Sequence, residues 1–147
     1  MWGGKQLYAF IGGGAAGAAQ SLTGAATIHT FTVPFRCIPI RCGVTITTAV
    51  ITQAATVKFT GPAAGTAGNC GTLIIPTSAT PGKVYYENTD YVAAATGSWT
   101  SSIDEGDQVT VIVSIPDGAP GTGAGIPWLI VEVNPDQPAN NSAMVAG

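Results

Sequence analysis

The run CGVTITTAVITQ, residues 42–53, decides the fold class. Its side chains alternate, with Val44, Ile46, Thr48 and Val50 falling on one side and Thr45, Thr47 and Ala49 on the other. A period of two marks a strand with one buried face. The β-branched residues that fill the run suit a pleated surface and lose rotamer freedom in a helix. Residues 108–115 (QVTVIVSI) repeat the pattern more strongly, placing Val109, Val111, Val113 and Ile115 on one face. No stretch sustains a 3.6-residue period. The sequence predicts an all-β protein.

Outward from these two runs, shorter ones follow at regular intervals. Residues 26–35 (ATIHTFTVPF) end at Pro34, and residues 56–60 (TVKFT) set Val57 and Phe59 against Lys58. Residues 72–76 (TLIIP), 83–88 (KVYYEN) and 128–134 (WLIVEVN) read as further strands. Between them stand Gly61-Pro62, Pro81-Gly82, Asp104-Glu105-Gly106-Asp107 and the Gly/Pro-rich residues 116–127, all turn or loop chemistry. Seven to eight short strands spaced in this way predict an antiparallel β-sandwich or jelly-roll-like domain. The expected organisation is a Gly/Ala-rich extended N-terminal arm over 1–24, the sandwich over 25–135 and a polar tail over 136–147.

Composition narrows the function. Only 9 % of the 147 residues are charged and 46 % are hydrophobic, whereas an ordinary soluble domain carries about 25 % charge. Such a chain has little charge for its surface, which suits a protein packed among neighbours. The five basic residues, Lys5, Arg36, Arg41, Lys58 and Lys83, are scattered and the formal net charge is −3. Nucleic acid and anionic membranes both require clustered Lys and Arg, so neither is expected as a partner. No stretch reaches the ~20 apolar residues of a spanning helix. Cys37, Cys42 and Cys70 make an odd count and are expected to be buried thiols rather than a disulfide framework.

The N-terminal MWGGKQLYAFIGGGAAGAAQ is a poor secretion signal, because Gly12-Gly13-Gly14 interrupts its short apolar segment. It is read instead as an arm that lies on a partner. Its apolar anchors are Trp2, Leu7, Tyr8, Phe10 and Ile11, since large apolar side chains dominate interface energetics. Removing residues 1–23 is expected on this reading to leave a folded domain that no longer binds.

No catalytic, cofactor or metal residue is assigned. His29 is the single histidine, in strand period with Phe31 and Val33, which favours a structural role. Asp104-Glu105-Gly106-Asp107 has the chemistry of a turn before a strand, and the remaining oxygen ligands of a calcium site are not apparent. Gly121-Thr122-Gly123-Ala124-Gly125 lacks the following helix and Lys-Ser/Thr pair of a phosphate loop, and reads as a flexible connection. Trp99, Tyr85, Tyr86 and Tyr91 have the composition of a sugar-stacking platform or of a core cap.

The order Val33-Pro34-Phe35, the alternating 44–51 run, 54–59, Leu73-Ile74-Ile75-Pro76, Ile103-x-x-Gly106-Asp107-x-Val109 and a Gly-rich loop before the last strand resembles the β-sandwich decoration (cement) proteins and related appendages of tailed-phage virions. The resemblance spans residues 26–134. It implies a non-enzymatic homo-oligomer, a trimer by preference, made in the host cytoplasm and seated on the capsid surface. Its partner would be the major capsid protein, with no cofactor. The alternatives are a receptor- or carbohydrate-binding appendage and a secreted surface-layer or pilus-like subunit.

Overall fold

The computed structural model describes residues 6–12, 18–62, 69–88, 102–114 and 121–133. Nine strands appear in it: β1 (Leu7–Ile11), β2 (Gln20–Ser21), β3 (Ala26–Thr32), β4 (Cys37–Ile51), β5 (Ala55–Thr60), β6 (Asn69–Ile75), β7 (Val84–Asn88), β8 (Gln108–Ser114) and β9 (Thr122–Val133). One sheet has the order β1-β9-β4-β7, with β2 also on β9, and the other the order β3-β8-β5-β6. Every pairing between them is antiparallel. The two sheets pack as a β-sandwich.

β1 and β2 share one position in the sheet. β1 lies against residues 128–132 of β9, and β2 against Ala124 and Gly125 further along the same strand. The other side of β9 carries β4, so both short strands lie along a single edge of β9. Taking them as one strand leaves two four-position sheets, β1/β2-β9-β4-β7 and β3-β8-β5-β6. The chain crosses between them in jelly-roll fashion.

The expected arm over 1–24 therefore differs from what is found. Across Leu7–Ile11 and Gln20–Ser21 it is the first strand of the sandwich. Leu22, which follows, is buried in the core at 2 % exposure. The physical reason is the edge of β9, whose backbone donors and acceptors require a partner strand. LYAFI is a short apolar run that satisfies a strand template as readily as it suits an anchor.

The core lies between the sheets. Cys42, Val44, Ile46, Leu129 and Val131 come from one, and Phe31, Val57, Phe59, Ile75, Val109, Val111 and Val113 from the other, all nearly inaccessible. The alternation expected in β5 and β8 is present, with Ile115 outside the described residues. In β4, Val44, Ile46 and Val50 are buried as expected but Thr48 is exposed, because the register against β9 shifts on both sides of it. A further shift between Pro39 and Arg41 reverses which residues point inward, from Cys37 and Pro39 to Cys42 and Val44. That bulge hides the first part of β4 from a search for simple alternation.

The Gly-rich stretch before the last strand is itself strand. β9 begins at Thr122, not at Trp128, so the expected flexible connection over 121–125 is corrected to the start of a central strand. Gly123 and Gly125 are buried there, and a Cβ on either would run into Val50 or Val44 of β4. Glycine is required at both for close packing, not for flexibility.

Candidate functional site

The two outer faces of the sandwich differ in chemistry. On the β3-β8-β5-β6 sheet the outward residues are mainly threonines, with Thr30, Thr110 and Thr60 side by side across three strands. Thr56, Lys58 and Thr72 extend this face, and Ile74 and Ile112 are its exposed apolar residues.

The other sheet presents an apolar outer face. Leu129 and Val131 of β9 are fully buried, so Ile126, Trp128, Ile130 and Glu132 point outward by alternation. Register places Leu7 beside Glu132, Ala9 beside Ile130 and Ile11 beside Trp128. On the far side Ile38, Arg41, Gly43 and Thr45 of β4 continue the rows. Tyr86 and Val84 of β7 stand opposite Gly43 and Thr45. Leu7, Ile11, Tyr86 and Val84 are 60, 59, 55 and 48 % exposed.

At the centre of this face the indole of Trp128 covers Gly43, where a Cβ would collide with its ring. The arrangement shields the glycine's backbone from solvent and leaves room for the large ring. The Arg41 guanidinium carbon sits 4.8 Å from the centroid of the Tyr86 ring, a cation–π pair at the edge of the patch. Trp, Tyr and Arg are the residue types that most often carry binding energy at protein interfaces.

Strand alternation splits the expected anchors between two roles, and Trp2 lies outside the described residues. Tyr8 and Phe10 turn toward Phe35, with ring centroids 4.9 and 6.0 Å away, and Phe10 also approaches Phe31 at 6.3 Å. Phe10 packs on the core. Leu7 and Ile11 project outward and join the apolar face. Sequence reading missed Ile126, Trp128, Ile130 and Arg41. The available signal was the WLIV run, residues 128–131, apolar on both of its alternating faces, where a half-solvated strand would be apolar on one.

Of the aromatics considered for a sugar platform, Tyr85 is half-buried against the core and Tyr86 points outward, while Tyr91 and Trp99 lie outside the described residues. His29 makes an edge-on contact with Phe31 at 4.6 Å, and desolvation lowers its pKa from 6.5. Around the acidic turn, Asp107 N–H donates to the Asp104 carbonyl at 3.0 Å and Gly106 N–H to the Val33 carbonyl at 2.8 Å. Arg36 Nε reaches Asp104 Oδ1 and Ser102 Oγ, each at 3.1 Å. These groups serve the β3–β4 corner. Among the described residues no group of three or more His, Cys, Asp or Glu side chains is placed to hold a metal ion. Cys37, Cys42 and Cys70 are buried thiols, each pushed up to about 12 by desolvation. The electropositive, accessible setting of a reactive cysteine is not theirs.

Comparison with protein-family models, with curated proteins and with solved structures returns no match.

Proposed function

We propose that the chain is a non-enzymatic structural subunit of a virion surface, a capsid decoration protein that seats its β1-β9-β4-β7 sheet on the shell. The observation that carries this reading is the asymmetry of the two outer faces: one is rich in threonine, the other is apolar around Trp128. A monomer in water gains nothing from exposing the second, and large exposed apolar patches mark interaction sites. The scarcity of charge points the same way. Jelly rolls serve viral capsids and lectins alike, so the architecture supports the reading without selecting it.

The test is composition. Quantitative mass spectrometry of purified particles from the source of the sequence is expected to find this chain in fixed ratio to the shell subunit. Its absence from the particles would overturn the proposal. Trp128, Tyr86 and Arg41 on one face also favour a second reading, a glycan-binding appendage. Saturable binding on a glycan array, lost in Trp128→Ala, would select that reading over the first.

A further inference from the structure

From the edge of β1 that no described strand pairs, we infer that two copies of the chain join by antiparallel β1–β1 pairing about a two-fold axis at Ala9. The inference rests on backbone geometry and stands whether or not the chain belongs to a virion.

The hydrogen-bond phase of β1 determines which groups are available. Gly12 N–H donates to the Pro127 carbonyl at 2.7 Å, and Val133 N–H donates to the Gln6 carbonyl at 2.9 Å. The ladder is regular between these points, so Gln6, Tyr8, Phe10 and Gly12 spend their backbone groups on β9. The N–H and C=O groups of Leu7, Ala9 and Ile11 therefore point away from it. Among the described residues no strand pairs with that side of β1. An unpaired row of alternating donors and acceptors is a template for another strand.

Among the described residues the two sheets have four edges, and three carry features that blunt pairing. β7 is KVYYEN with its preceding residue, and has Lys83 and Glu87 along it. β3 contains an irregularity between Thr27 and His29, and β6 lies opposite one between Phe59 and Thr60. Charges and bulges are the usual protections of an edge strand. β1 has no charge, no proline and no register shift. Among the described edges it is the one without such protection.

The occupant that fits is the same strand. A two-fold at Ala9 places Leu7 opposite Ile11 of the partner subunit and Ala9 opposite Ala9 of the partner subunit. These are the residues with outward-pointing backbone groups on both copies, so each becomes a mutually hydrogen-bonded pair. Tyr8 then faces Phe10 of the partner subunit on the inner side, in the closer, non-hydrogen-bonded spacing. Leu7 and Ile11, 60 and 59 % exposed in the single chain, become interior to one continuous apolar face. Two-fold contacts of this kind close on themselves and make dimers rather than fibres.

Ala9→Cys tests the register directly. Mutually bonded residues across an antiparallel pair have Cα atoms about 5.5 Å apart, within reach of a disulfide. Leu7→Cys on both copies would leave the thiols four residues out of register, about 13 Å apart. The native cysteines are buried and do not compete. Under mild oxidation, the full-length Ala9→Cys chain is expected to form a cross-linked dimer at least tenfold faster than Leu7→Cys. In light scattering the wild-type chain is expected to be dimeric, and Ala9→Pro, which removes an outward N–H that β9 does not use, to shift to monomer. Equal cross-linking of the two cysteine variants, a monomeric wild type or a trimer would overturn the inference. A dimer found in protein that never enters particles would leave it intact while the virion reading fails.

Discussion

The indole of Trp128 occupies the space that a side chain at Gly43 would fill. This cross-strand relationship lies at the centre of the apolar face, and it is sensitive to a single methyl group. Gly43→Ala must displace the ring or push β4 from β9, at a cost of about 1–3 kcal/mol. Chemical denaturation should show that loss, accompanied by a shift in tryptophan emission. Unchanged stability and emission would mean that the ring does not rest there.

His29 predicts a pH dependence with a definite sign. Burial lowers its pKa from 6.5, so below that value the unfolded chain binds a proton that the folded chain resists. The stabilisation is complete above the unfolded value and is lost as pH falls through the folded one. Thermal unfolding between pH 7 and 5 should therefore show a larger drop in Tm for the wild type than for His29→Gln. Parallel curves for the two proteins would contradict the assignment.

Thr52 adopts φ 80° at the turn from β4 to β5, a backbone region that β-branched residues avoid. Thr52→Gly relieves that strain while adding unfolded-state entropy, for a net gain of about 0.5–1 kcal/mol. An increase in Tm of a few degrees is expected in calorimetry. A decrease would show that the threonine side chain contributes more here than its backbone costs.

The three thiols should be silent in the folded protein. With pKa values near 12, the thiolate fraction at pH 8 is on the order of 10⁻⁴, and burial blocks access as well. A thiol reagent should titrate none of them in buffer and all of them in denaturant. Rapid labelling of the native protein would place at least one at the surface.

Truncation separates the arm from the strand. Removing residues 1–23 deletes Phe10 and Leu22 from the core and strips the edge of β9. Loss of Leu22 alone is equivalent to a buried leucine truncation of about 2–5 kcal/mol. The shortened chain is expected to lose cooperative unfolding, measured by circular dichroism. A truncated protein that melts like the full chain would restore the free-arm picture.

Much of this fold was legible because its strands have two different sides. Val109, Val111 and Val113 are buried where their alternation puts them, and so are Val57 and Phe59. What could not be read has physical causes. The bulge near Pro39 reverses the inward parity of β4, so its first residues show no continuous alternation. Gly123 and Gly125 look like a linker because a glycine packed beneath Val50 and Val44 has the same letter as one in a loop. LYAFI carries the same residues whether it docks on a foreign surface or on β9. The candidate face was hardest to read, since Trp128, Gly43, Arg41 and Tyr86 come together only through the β9-β4-β7 register.

On the proposed function, the apolar face around Trp128, rather than the threonine face, is buried in an assembly. Particle incorporation of two lysine variants tests it most directly: Ile130→Lys on the first face, and Ile74→Lys on the second, where Ile74 is 69 % exposed. With both proteins folded, Ile74→Lys should enter particles at the wild-type ratio and Ile130→Lys should be lost from them. Equal incorporation of the two, or loss of Ile74→Lys alone, would contradict the claim.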